Sequence, residues 1–157
     1  MKLTTWNIRG LGSKGKQRNL RNRMKEEKPD MIFIKETKCS VDKIREIHSK
    51  WLIKYEYLEI KADKATGGIL TLWNPQKLVI IDAEASRNYL SVVIQPLGDK
   101  EVYLLTNVYG PQKSEEKLRL LTSLEELRGR HPIIPWILGG DFNMIKSLSE
   151  KKRGPNH

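Results

Sequence analysis

Apolar residues recur along this chain in two rhythms, and the change of rhythm divides it. Met1 to Asn7 alternates as a short half-buried strand does, and Gly10, Gly12 and Gly15 then mark a turn. Lys16 to Glu27 reads as a basic helix with a thin apolar stripe, chiefly Leu20 and Met24 one turn apart. Pro29-Asp30 ends it. Met31-Ile32-Phe33-Ile34 is a continuous apolar run, the pattern of a strand buried on both faces. Ser40 is placed to cap a second helix in which Val41, Ile44, Ile47 and Trp51 recur at helical spacing.

From residue 55 the period becomes two. Tyr55 to Ile60, Gly68 to Trp73, Leu78 to Ala83, Tyr89 to Gln95 and Val102 to Tyr109 read as strands. Turns at Asn74-Pro75, Arg87-Asn88 and Gly98-Asp99 separate them, and such short connections imply antiparallel hairpins and a meander. Ser114 is placed to cap a third helix, with Glu115 and Glu116 in the first turn, where the helix dipole favours acids. Leu118, Leu121, Leu124 and Leu127 supply its expected buried face and Gly129 its expected stop. Ile133 to Leu138 reads as the last strand, entered through Pro132 and Pro135 and ending at Gly139-Gly140-Asp141. Asn143 to His157 is polar and basic with no strong period. There is no repeat, linker or low-complexity tract, so residues 1–157 read as one α/β domain or part of one.

Composition narrows the partners. The chain has 157 residues, enough for one sizeable core, with 38% hydrophobic and 31% charged residues. Lys and Arg number 29 against 19 Asp and Glu, and the resulting +10 favours polyanions through attraction and counterion release. Lys14, Lys16, Arg18, Arg21, Arg23, Lys25 and Lys28 crowd one early segment; a plain solvated helix face is the competing reading. The single cysteine, Cys39, can form no internal disulfide, which fits a reducing compartment and a packed or surface thiol. No apolar stretch approaches the ~20 residues of a membrane span, and the N-terminus lacks a signal-peptide core. The expectation is an intracellular protein, nuclear or cytoplasmic, that is not secreted.

Candidate chemistry sits where strands end. Glu36 closes the buried apolar run, where a carboxylate suits a hard cation such as Mg²⁺; an ordinary solvent-facing acid is its bland alternative. In Gly139-Gly140-Asp141-Phe142-Asn143, the Asp can take a proton from water and the Asn can steady an anionic oxygen. An Asx turn is the alternative there. Asn7 ends the first strand, as a turn former or as a partner to a metal-bound water, and Tyr109 ends another, as a packing group or a phosphate donor. Singly each is weak. Their joint occurrence, each at a strand end, points to one convergent site at a sheet edge.

Together Trp6-Asn7-Ile8-Arg9-Gly10, Ile34-Lys35-Glu36-Thr37, Gly67-Gly68, Asn107-Val108-Tyr109-Gly110-Pro111 and Gly139-Gly140-Asp141-Phe142-Asn143 resemble the endonuclease/exonuclease/phosphatase superfamily. The wording is similar to the endonuclease of LINE-type retrotransposons. The resemblance implies a DNase I-like sandwich of two mostly antiparallel sheets flanked by helices. It implies that Glu36 binds Mg²⁺ (or Mn²⁺) with help from Asn7, and that Tyr109 contacts the scissile phosphate. Asp141 would then activate the water, and Asn143 orient that Asp and steady the transition state, on a DNA substrate gripped by Arg9, Lys14, Lys16, Arg18 and Arg21. Members also carry later strands, a further Asp and a late Ser-Asp-His; here the histidines are His48, His131 and His157, and none follows an Asp. The sequence therefore reads as the N-terminal part of such a domain, with its last strand an unpaired edge. Loss of the imidazole is expected to slow cleavage by roughly two to four orders of magnitude. A non-catalytic, basic nucleic-acid-binding remnant and a decayed product that does not fold stably are the other readings.

Overall fold

Five successive apolar or amphipathic residues can be buried on both sides only in the middle of a layered structure, and Met31–Lys35 is placed there. The computed structural model of the chain describes residues 1–63 and 67–141. Its first half is β1 (Leu3–Asn7), α1 (Lys14–Glu27), β2 (Met31–Lys35), α2 (Val41–Trp51), β3 (Glu56–Ile60) and β4 (Ile69–Trp73). The second half is β5 (Leu78–Ala85), β6 (Tyr89–Pro96), β7 (Tyr103–Tyr109), α3 (Ser114–Arg130) and β8 (Trp136–Asp141).

These form two four-stranded sheets, ordered β1-β2-β4-β3 and β5-β6-β7-β8. The expected antiparallel meander is present in β5-β6-β7. β1 and β2, and likewise β7 and β8, are parallel pairs joined by crossover helices. The result is a DNase I-like sandwich of two mostly antiparallel sheets faced by helices. Met31, Phe33, Leu105, Val92 and Ile94 interdigitate between the sheets. Leu20, Met24, Ile44 and Ile47 cover the outer face of the first sheet, and Leu120, Leu124 and Leu127 that of the second.

The local signals were mostly sound, with four corrections. α1 begins at Lys14, two residues earlier than expected, because the Ser13 side chain caps it by accepting from Lys16 N at 3.2 Å. α3 has Lys113 at its N-cap with no side-chain cap, so Ser114 lies inside the first turn, and the helix runs past Gly129 to Arg130. Its buried stripe is Leu120, Leu124 and Leu127, while Leu118 is 66% and Leu121 45% exposed. Four leucines in steps of three cannot share a face: each step falls about 60° short of a full turn, so the row drifts around the helix. Finally, β8 starts at Trp136, after Pro135, and runs through Gly140 to Asp141; Ile133, between the two prolines, is 91% exposed. Among the described residues β8 is the last strand of its sheet, with Ile137 and Leu138 exposed on it.

Candidate active site

The C-terminal ends of β1, β2, β7 and β8 meet at one edge of the sandwich, β8 lying against both β1 and β2. Register sets the juxtaposition. Asn7 pairs with Lys35 across β1 and β2, and Tyr109 pairs with Asp141 across β7 and β8. At this edge a short hydrogen bond crosses between the sheets, as Tyr109 Oη donates to Glu36 Oε1 at 2.6 Å. Burial together with this carboxylate pushes the Tyr109 hydroxyl well above the ordinary phenol range, so it remains a donor throughout the neutral range.

Glu36 is held by its backbone as firmly as by its side chain. It sits at φ 56°, in the left-handed region, and Arg9 and Lys38 beside it share that conformation. Such residues cost about 1–3 kcal/mol each and persist only where neighbours enforce them. Here the enforcement is visible: Gly10 N donates to Glu36 O at 2.7 Å, and Glu36 N donates to Gly68 O at 2.9 Å. Leu11 N to Thr37 O at 2.8 Å and Lys38 N to Gly67 O at 2.6 Å extend the clamp. A side chain at Gly68, whose φ is +96°, would run into Thr37 Oγ1, which accounts for the glycine pair ahead of β4.

Sequence reasoning passed over Lys35. Along β2 the side chains of Met31, Phe33 and Lys35 share one face, the one between the sheets. Lys35 is 1% exposed, its Nζ donates to Thr5 Oγ1, and the Asp141 carboxylate acts on its charge. Burial pushes its ammonium down to about 8, the nearby Asp141 opposing the shift. A lysine closing an otherwise apolar run was the available signal. Asn107, two residues before Tyr109 on the same face, was also underread. It is fully buried, its amide donates to Leu70 O and Thr71 Oγ1 at 3.2 Å each, and its Oδ1 has no partner among the described residues.

The lysine makes a testable demand on stability. Folded Lys35 loses its proton near pH 8, against an ordinary value of 10.5, so between these limits the unfolded chain binds more protons. Stability from this group therefore rises as pH increases from 8 to 10. Cys39 and Tyr109, both raised, act oppositely at high pH, so the comparison is with Lys35→Met. In EDTA, urea unfolding should show the wild type gaining up to ~2 kcal/mol on that variant between pH 8 and 10. Parallel pH profiles would remove the buried charge from the account.

The remaining candidates separate. Asn7 Oδ1 accepts from Arg9 N at 3.1 Å, the local turn that its bland reading foresaw, and this fixes the side chain at the strand end. Lys16 Nζ donates to Ile8 O and Arg9 O at 2.7 Å each, tying the start of α1 to the same end. Lys14 and Arg18 are exposed. Arg21 lies further down α1, stacked over Trp51 at 4.9 Å, on a cavity of about 580 Å³ shared with Lys25, Lys28, Asp30 and Asn74. Asp30 precedes β2 and Asn74 follows antiparallel β4, so this basic cavity is at the opposite end of the sheet from Glu36. Asn143 lies outside the described residues. His48, whose ring nitrogen meets Tyr55 O at 2.6 Å, and His131, which closes α3, are structural.

The donor set suits one kind of metal. Among the described residues no three His, Cys, Asp or Glu side chains cluster, which excludes a closed protein cage there. Mg²⁺ and Mn²⁺ are held by one or two carboxylates and otherwise by water, and Glu36 with Asp141 nearby and Asn7 beside it meets that requirement. The residues fit.

The sequence pattern of the Endonuclease/Exonuclease/phosphatase family matches residues 4–157. This chain belongs to that family. Solved structures agree in fold. A functionally unknown conserved protein from Enterococcus faecalis V583 is 19% identical with a TM-score of 0.72, matching 96% of this chain and 72% of its own. D. rerio TDP2 complexed with a single-strand DNA product is 15% identical with a TM-score of 0.65, over 90% of this chain and 60% of its own. AP endonuclease from Leishmania major is 21% identical with a TM-score of 0.66, over 90% of this chain and 55% of its own. The chain thus spans between about half and three quarters of these relatives. No helix among the described residues is long and apolar enough to cross a membrane.

Proposed function

We propose that this chain carries the hydrolytic site of a divalent-metal-dependent phosphodiesterase that nicks DNA, from the LINE-type retrotransposon branch of the family. The observation behind it is the Tyr109–Glu36 hydrogen bond across the sheets, with Asp141 in register beside Tyr109. When bound, Mg²⁺ or Mn²⁺ supplies Lewis-acid stabilisation of charge on the phosphate oxygens. Glu36 holds that ion, and Asn7 stands next to it. Tyr109 keeps its hydroxyl proton, which it donates to Glu36 and can turn toward a phosphate oxygen when substrate is bound. Asp141 takes a proton from the attacking water, and Asn143 orients that carboxylate.

The family includes phosphatases, so substrate class rests on charge. The +10 balance and the exposed cations Lys14 and Arg18 favour a polyanion, and TDP2 was crystallised with single-stranded DNA. Supercoiled plasmid converted to open circle in Mg²⁺ and not in EDTA supports the DNA reading. Hydrolysis of a small phosphomonoester with no nicking would overturn it.

A non-catalytic nucleic-acid-binding role is favoured by α1 alone, and the two readings differ in metal dependence, since counterion-driven binding needs none. In either case reversing Lys14 and Arg18 to Glu should weaken binding to a DNA duplex about fivefold or more and flatten its log–log salt slope by ~2. Unchanged anisotropy titrations would return that face of α1 to plain solvation.

A further inference from the structure

The face of β2 between the sheets is apolar apart from its last residue, and a methionine or leucine at that position would fill the same space without taking a charge out of water. The chain nevertheless places an ammonium there, and builds around it. The Lys35 stem runs beneath β8, so close that a Cβ on Gly140 would stand 2.8 Å from Lys35 Cε. Its tip bonds to Thr5 of β1, and Asp141 is its carboxylate neighbour on β8. Lys35 therefore ties together β1, β2 and β8, the three strands whose ends make the site. Glu36 follows it directly in the chain, so the internal cation sits beside the strand end that carries the metal-holding carboxylate.

Resting on the metal-site reading above, we propose that Lys35 is a positioning residue, a built-in counter-cation that orients Asp141 and weakens divalent-ion binding enough to keep the ion exchangeable. A buried positive charge draws Asp141 inward and compensates its carboxylate while no metal is bound. Once a divalent ion arrives, the same charge repels it. Removing the charge should then separate three properties that a simple packing defect would lower together. Replacing a buried charge by an apolar group of similar shape is commonly neutral or stabilising. Methionine has that shape and adapts to the gap.

The test is a calorimetric titration of Mg²⁺ into the whole chain at pH 7 without substrate, for wild type, Lys35→Met and Thr5→Val, with melting and plasmid nicking measured alongside. Lys35→Met is expected to bind Mg²⁺ about tenfold tighter or more, because the repulsion of a divalent ion by a nearby unit charge is removed. It should also melt no lower than wild type and nick about tenfold more slowly at saturating Mg²⁺. Thr5→Val keeps the charge but frees it from β1, so Mg²⁺ affinity should stay within about twofold of wild type while nicking falls. Mg²⁺ affinity that is unchanged or weaker in Lys35→Met, or a Lys35→Met chain that does not fold, would overturn the proposal. Failure of the metal-site reading looks different: Glu36→Gln would then bind Mg²⁺ as wild type does, whatever Lys35→Met shows.

Discussion

Asp141→Asn is expected to lower Mg²⁺-dependent nicking by about 10³-fold or more, while weakening divalent-ion binding far less than Glu36→Gln does and leaving DNA affinity nearly unchanged. The substitution keeps shape and removes the basic oxygen together with its charge. The backbone bond from Gly110 N to Asp141 O at 2.5 Å does not involve the side chain. Glu36→Gln should lose nicking to a similar degree for another reason, by losing the ion. The pair thus separates proton transfer from metal holding. Quantified open-circle formation, with Mg²⁺ titrations and anisotropy on the same samples, gives the comparison. Nicking retained by Asp141→Asn would remove Asp141 from the chemistry, and Mg²⁺ binding lost with it would make Asp141 a ligand instead.

The largest stability effect should come from Gly140→Ala, which is expected to cost about 3 kcal/mol or more. Gly140 has φ +136°, a conformation open essentially to glycine alone. The added Cβ would collide with the Val108 carbonyl oxygen and with Lys35 Cε, so neither β7 nor the buried lysine can keep its place. Gly129→Ala is the counterpart. It lies within α3 with nothing within 4 Å of an added Cβ, and alanine there should stabilise by up to ~1 kcal/mol. Denaturant unfolding of both variants tests the assignment; effects of the same sign would contradict it.

Much of this was legible in the sequence because the signals were local. Strand ends at Asn7, Tyr109 and Asp141, and one residue before Glu36, follow from apolar runs meeting polar residues, and the Ser40 cap is realised as its side chain accepts from Lys43 N at 3.1 Å. What escaped was non-local. That Lys35 is buried depends on β8 crossing above it, a contact between residues about a hundred positions apart in the chain. Gln17, inside the basic segment, is buried through contacts with other elements, donating to Leu11 O at 3.1 Å and accepting from Trp51 Nε1 at 3.2 Å. The left-handed turn at Glu36 has no sequence cue of its own; it is imposed by Gly10 on one side and Gly68 on the other. The α3 face was misjudged because leucines at 118, 120, 121, 124 and 127 offer two overlapping stripes, and only the sheet beneath chooses between them.

The account turns on Glu36 being the anchor of a divalent ion. Calorimetric titration of Mn²⁺ into metal-free wild type and Glu36→Gln, with circular dichroism to show that both are folded, addresses this without any substrate. The account predicts one bound ion per chain in the wild type and a loss of affinity of about tenfold or more in Glu36→Gln. Equal binding by the two proteins, or none by folded wild type, would contradict it.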